Sequence, residues 1–191
     1  MKAHARRYLL ITVFAAFSLL LLFYPSQGVN EKLVLKSSVI SKISPGAPVR
    51  LIIPQININT DIKYMGVTPY GVMEVPDNIM DVGWFKLGPH PGEKGSAVIA
   101  GHFDGKNGEA GVFTNLYKLK KGDKLYIEDD KRVLVTFIVR ERRIYDPGSA
   151  DEVFSSSDSA HLNLVTCDGV WDGAKKSYSK RLVVFADIAP N

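Results

Sequence analysis

Leu162-Asn163-Leu164-Val165-Thr166-Cys167-Asp168-Gly169 is the stretch whose reading decides the fold. Apolar side chains at 162, 164 and 165 and a β-branched one at 166 describe a buried strand, and Asp168-Gly169 is a turn signal that ends it. The one cysteine of the sequence stands where that strand runs out, so a thiol is expected at the lip of a sheet. A rigid strand would fix its Cα while the following loop leaves the side chain reachable. Taken alone, such a cysteine is more often a small hydrophobe in a core, so its neighbours decide the matter.

Those neighbours are strands. Upstream, Val49–Ile53, Ile56–Asn59, Ile62–Val67 and Val72–Pro76 read as short β segments, and Ser96-Ala97-Val98-Ile99-Ala100-Gly101-His102 as a buried strand of small and β-branched residues that ends on a histidine. Lys124–Glu128 alternates with period two, and in 132–142 Val133, Val135, Phe137 and Val139 share a face. Tyr145-Asp146-Pro147-Gly148 breaks that strand, and Glu152-Val153-Phe154 suits one helical turn. Gly83-Trp84-Phe85 through Gly95 is dense in Gly and Pro and is expected as a loop carrying an aromatic plug. Downstream, 168–180 reads as a loop and Arg181–Ile188 as the closing strand. Eight or so short strands without a long amphipathic helix predict an all-β barrel or sandwich of about 140 residues beginning near Pro48.

The 191 residues hold 46% hydrophobic and 23% charged side chains, enough for a core. The formal net charge is +4, and Lys2, Arg6 and Arg7 supply much of it, so no basic face with interleaved aromatics is left to argue for nucleic acid. Tyr8 to Tyr24 is an uncharged apolar run with basic residues before it and Pro25-Ser26-Gln27-Gly28 after it. As a helix it would cover roughly 26 Å, within the range that spans a bilayer. The expected organisation is a basic cytoplasmic tail at 1–7, an uncleaved transmembrane anchor at 8–24, a stalk at 25–47 and an exported domain at 48–191. A single cysteine outside the membrane can form no intramolecular disulfide and counts as a candidate reactive group.

Three residues are expected at matching places on the sheet: His102 at the exit of one strand, Cys167 at the exit of another and Arg181 at the entry of a third. Together they suit acyl transfer. A thiolate is a strong nucleophile, an imidazole can pass a proton to a departing amine, and a guanidinium offers a fixed fork of donors to a carbonyl or oxyanion. Arg50, Arg132, Arg140, Arg142 and Arg143 compete with Arg181 on composition, while His90 and His161 weigh less than His102. No Cys/His pair has zinc-ligand spacing, so no metal site is expected.

Leu164-Val165-Thr166-Cys167 resembles the Thr-Leu-x-Thr-Cys signature of the sortases. Ala100-Gly101-His102 with Val112-Phe113-Thr114-Asn115-Leu116 is similar to the strand and Phe-x-x-Leu turn around their catalytic histidine, and Arg181-Leu182-Val183-Val184 to the arginine of their last strand. Gly83-Trp84-Phe85 and Pro91 to His102 look most like the class F and class E branches. The resemblance implies a closed eight-stranded β-barrel with short helical turns and a membrane-anchored cysteine transpeptidase. Such an enzyme cleaves a Leu-Pro-x-Thr-Gly-like sorting signal through a thioester on Cys167. It then transfers the protein to an amine of a cell-wall precursor or pilin, at the outer face of a Gram-positive-type membrane. By the same resemblance His102 exchanges the proton, Arg181 holds the acyl group, Thr166 serves the oxyanion site, and Leu116 and Trp84 wall an apolar substrate groove. Some sortases bind calcium, but Glu109 and Asp129-Asp130 are too sparse to assert it, and no cofactor is expected. The basic residues Lys175, Lys176 and Lys180 read first as a solvated loop. Competing readings are a plain endopeptidase and a non-catalytic, membrane-tethered β-domain that binds a wall polymer or protein partner.

Overall fold

The computed structural model describes residues 45–190 apart from Ala150; the tail and anchor expected at 1–24, and most of the stalk, lie outside the described residues. No helix among the described residues is long and apolar enough to cross a membrane. The strands are β1 (Pro48–Ile53), β2 (Ile58–Met65), β3 (Val82–Phe85), β4 (Gly95–Gly101), β5 (Lys124–Asp129), β6 (Leu134–Tyr145), β7 (Ala160–Asp172) and β8 (Ser177–Ile188). They close into a barrel in the order β1-β2-β3-β4-β7-β8-β6-β5, with β5 returning to β1. Two neighbours, β2 with β3 and β4 with β7, are parallel, so each needs a crossover, and the segments around 66–81 and 102–159 supply them. The expected all-β closed barrel with short helical turns is what forms; the helical turns are 3-10 turns at Pro54–Ile56, Leu116–Lys118 and Asp151–Phe154.

Period-two alternation sorts the residues. On β7 Ala160, Leu162, Leu164 and Thr166 point inward and are buried, whereas His161, Asn163, Val165 and Cys167 occupy the other face. The inward set joins Leu51, Ile53, Ile99, Phe113, Leu125, Ile127 and Phe137 in the barrel core. All of β4 is buried because both its faces are covered. Its outer face lies in a second, smaller apolar layer, in which Val98, Val153, Val183 and Phe185 are packed with Met73, Phe85, Tyr145 and Val165. The 3-10 turn at Asp151–Phe154 contributes Val153 to this layer.

Three local expectations are corrected. Gly83-Trp84-Phe85 is not a loop but lies in strand β3, because β2 on one side and β4 on the other offer its backbone two ladders. Val72–Pro76 is not a strand; it forms one isolated bridge, Val67 with Met73. The segment 168–180 is not a loop either. β7 continues to Asp172 and β8 begins at Ser177, so the turn is only 173–176 and a two-stranded ribbon extends the barrel wall. Asp168-Gly169, a turn signal in isolation, is here a bulge: the β7–β8 register shifts between Asp168 and Trp171, and Gly169 takes φ 82°. The positive φ favours glycine there, and a side chain at 169 would also meet Ser179 Oγ at 2.4 Å and displace it.

The N-terminal entry into the barrel is held by Asp129, the one charged residue that is buried among those described. Its carboxylate accepts from the backbone N–H groups of Gly46 (2.8 Å), Lys131 (2.9 Å) and Val133 (2.7 Å). Burial alone would push this carboxyl up, but the three backbone donors together with Lys131 outweigh it and hold it below the usual carboxylate range.

Candidate active site

Cys167 is therefore not at a strand's end but inside β7, and Arg181 is inside β8, directly across the ladder as its register partner. β4 and β7 are parallel and pair Ala100 with Val165. Two residues further along each chain stand His102 and Cys167, on the same outer face as that pair. The registers thus align imidazole, thiol and guanidinium across three adjacent strands spaced about 4.8 Å apart. All three line one groove of about 380 Å³, together with Val72, Met73, Val98, Val165, Val153 and Phe154. It lies on the outside of the β4–β7–β8 wall, not inside the barrel mouth, because these residues carry the outward parity.

The His102 Nε2 is 2.8 Å from the Pro76 carbonyl. A carbonyl only accepts, so Nε2 carries a hydrogen in either charge state, and Nδ1 is the atom left to gain and lose a proton. The Arg181 guanidinium is pinned to its own ribbon. Nη1 donates to the carbonyls of Tyr178 (3.1 Å) and Lys180 (2.8 Å), and Nη2 to Ser177 Oγ (3.2 Å). Cys167 is half-buried and its thiol is free. Burial pushes that thiol above its ordinary range, the positive charge of Arg181 opposes the rise, and the carboxylate of Asp104 adds to it.

Thr166 is buried at 3% exposure, and its hydroxyl donates to the Gly101 carbonyl (2.8 Å), which ties the strand before His102 to the strand of Cys167. Its hydroxyl is thereby committed to structure, though the residue borders the groove. Leu116 and Trp84, expected as groove walls, lie in the barrel core at 0% and 3% exposure and do not line the groove. The Trp84 indole N–H donates to the Pro89 carbonyl (3.2 Å). The wall is built instead from the β2–β3 crossover, through Val72, Met73 and Val75, and from the 3-10 turn. Spacing alone could not reveal this, because both segments reach the groove from loops.

Two other residues at this site carried no sequence signal. Asp104 follows His102 by two, and its carboxylate accepts a hydrogen bond from the hydroxyl of Tyr178, which is 74 residues away in sequence. Asp146, which lines the groove, forms an ion pair with Lys180 (2.7 Å). His161 lies elsewhere. Its ring bridges Ser157 Oγ (2.9 Å) and Asp187 (2.7 Å), but that carboxylate oxygen is shared with Arg140 (2.6 Å), which fits a structural tie between loop and sheet. No cluster of metal-ligating side chains occurs among the described residues.

The family model described as Sortase domain matches residues 51–189. Sortase C1 of Streptococcus agalactiae, solved in complex with MTSET, superposes with a TM-score of 0.60 at 25% identity, over 75% of this chain and 69% of that one. Sortase C of Clostridium perfringens SM101 gives 0.55 at 24% identity over 78% and 73%. Sortase C-1 of Actinomyces oris gives 0.58 at 20% identity over 88% and 86%, a likeness of fold. No curated protein sequence matches. The chain belongs to the sortase family, whose members are cysteine transpeptidases.

Proposed function

We propose that Cys167, His102 and Arg181 carry the transpeptidation, on an exported protein with a Leu-Pro-x-Thr-Gly-like signal. The observation that carries this reading is the register, which supports a thiol flanked by an imidazole on one neighbouring strand and a guanidinium on the other, all on one apolar groove. The Cys167 thiolate attacks the Thr carbonyl carbon. The C–N bond to glycine breaks, and the imidazolium of His102 gives its Nδ1 proton to the leaving amine, which produces a thioester. An acceptor amine then attacks that thioester, His102 takes the proton back, and the thiolate departs. Arg181 stabilises the oxyanion in both halves. Because burial discourages the thiolate, only a minor fraction of enzyme is charged for attack at neutral pH.

The acceptor is an amine of a cell-wall precursor or pilin, and the chain works at the outer face of a membrane held by residues 8–24. The class F/E reading rests on Gly83–Phe85 and Pro91–His102. The test incubates the full-length chain with Leu-Pro-x-Thr-Gly peptides and either triglycine or diaminopimelate. A ligated product that is lost in Cys167→Ala, His102→Ala and Arg181→Ala supports the reading. Cleavage without ligation would make it a protease, and neither product a binding domain. Activity retained by Arg181→Ala would move that role to another arginine.

A further inference from the structure

Among the described residues, the β7–β8 ribbon beyond Cys167 pairs with no third strand. β4 ends at Gly101, and β6 reaches β8 only as far as Arg181. A two-stranded ribbon is weakly held on its own, yet this one anchors the guanidinium of Arg181, whose backbone stands where β6 ends, through the Tyr178 and Lys180 carbonyls and Ser177 Oγ. What holds it is the loop that begins at His102. Phe103 packs edge-on against Tyr178 (5.7 Å between centroids), Trp171 packs on the same ring (5.3 Å), and the Tyr178 hydroxyl donates to Asp104. Tyr178 thus touches the loop through its side chain and Arg181 through its carbonyl.

We propose that the Tyr178–Asp104 hydrogen bond is a latch that holds the Arg181 ribbon against the His102 loop, making both residues positioning residues for the thiol of Cys167. The proposal rests on the reading of Cys167 and Arg181 given above. The groups that face the thiol are His102 at the end of β4, Asp104 on the loop and Arg181 on β8, with Asp146 further along the groove and already paired with Lys180. Among them Asp104 is the acidic group that bears on the thiol's charge, and the Tyr178 side chain holds it. Tyr178 also answers to this environment: the hydrogen bond to Asp104, aided by burial, pushes its hydroxyl up to about 12, so it stays a donor throughout the working range.

The two halves of the latch have opposite consequences, and this separates positioning from general stability. Asp104→Asn keeps an oxygen acceptor for the Tyr178 hydroxyl and removes the negative charge, so Cys167 ionises more easily. Tyr178→Phe leaves the charge, removes the O–H dipole that partly offsets it and frees the ribbon that holds Arg181, so Cys167 ionises less easily. Cys167 is the only cysteine, so iodoacetamide alkylation of the full-length chain, followed by intact mass against pH, reads this site alone. The expected result is a pH profile displaced to lower pH in Asp104→Asn and to higher pH in Tyr178→Phe, with peptide ligation in Tyr178→Phe down about tenfold in kcat. Profiles that move the same way, or do not move, would overturn the latch, as would wild-type ligation by Tyr178→Phe. The alkylation arm needs no sorting peptide. Opposed shifts in the two variants together with a wild-type chain that ligates nothing would sink the proposed substrate and leave the latch standing.

Discussion

Gly101→Ala tests how closely the barrel core controls the site. Gly101 is the last residue of β4, faces inward, and immediately precedes His102. A Cβ there would lie 2.5 and 2.8 Å from two ring carbons of Phe113 and 2.8 Å from Val112 Cγ1. Phe113 is fully buried, so its ring cannot swing into solvent; either the ring or the end of β4 has to move by about 1 Å to reach ordinary contact distance. Overpacking of this kind costs about 1–3 kcal/mol. For a domain of this size that lowers Tm by about 3–10 °C, read by calorimetry on the full-length chain. The same displacement carries His102 with it, and a misplacement near 1 Å at a reacting group costs on the order of 100-fold in rate. Peptide ligation is therefore expected to fall much further than stability does. Phe113→Leu removes one of the two colliding ring atoms, Cε2, and replaces the rigid ring with a side chain that can turn its Cδ groups away, so the double variant should recover part of both losses, a favourable coupling between residues that each destabilise alone. A Gly101→Ala chain that melts within a degree of wild type, or a double variant whose losses simply add, would refute this account of why glycine stands before the histidine.

The thiol should alkylate along a pH profile displaced to higher pH than that of a free cysteine peptide, since burial discourages its charge, and Arg181→Ala should displace it further; a profile at or below the free thiol would contradict the burial. Phe154→Ala, which strips an aromatic wall from the groove and its edge contact with Phe85 (5.3 Å), should raise KM about three- to tenfold with kcat held. Asp129→Ala should cost about 1–3 kcal/mol in urea unfolding at pH 7, because three backbone N–H groups lose their acceptor. The folded carboxyl titrates below its unfolded value, so its stabilisation is complete above the unfolded pKa and fades as pH falls through the folded one; the gap between wild type and variant should shrink in acid, and a gap that widens there would be contrary.

Much of this was legible before any coordinates because alternation is a local signal. The strand at 162–166, the buried β4 and the turn at 152–154 could be read from their residues, though not that Val165 turns outward with Cys167. What failed was punctuation. Asp168-Gly169 has the composition of a turn, but cross-strand pairing with β8 offers the backbone more hydrogen bonds than ending the strand would, and the glycine's positive φ is absorbed as a bulge. Gly83 lacks a side chain to mark a strand, yet that absence suits it to β3, where a Cβ would meet Met65 at 2.4 Å. Trp84 and Leu116 were misassigned for a related reason: an aromatic or a leucine near a motif looks equally apt for a groove or a core, and only parity and burial distinguish them. Asp104 and Tyr178 left no trace, since a contact across 74 residues between two loop-like segments has no periodicity to betray it.

The charges around the thiol bear on which nucleophile resolves the thioester. Water needs a base to deprotonate it as it attacks, and the one imidazole on the groove has its Nε2 hydrogen committed to the Pro76 carbonyl, leaving only Nδ1 for proton transfer. An amine is a stronger nucleophile and can lose its proton after the C–N bond has begun to form, so it asks less of that base. The groove adds to the bias: its floor and walls are Val72, Met73, Val98, Val153, Phe154 and Val165, which offer a wandering water few partners beside the acyl carbon. With the roles proposed for Cys167 and His102, an apolar cleft and a thiol whose charge burial discourages favour resolution of the acyl group by an amine over water.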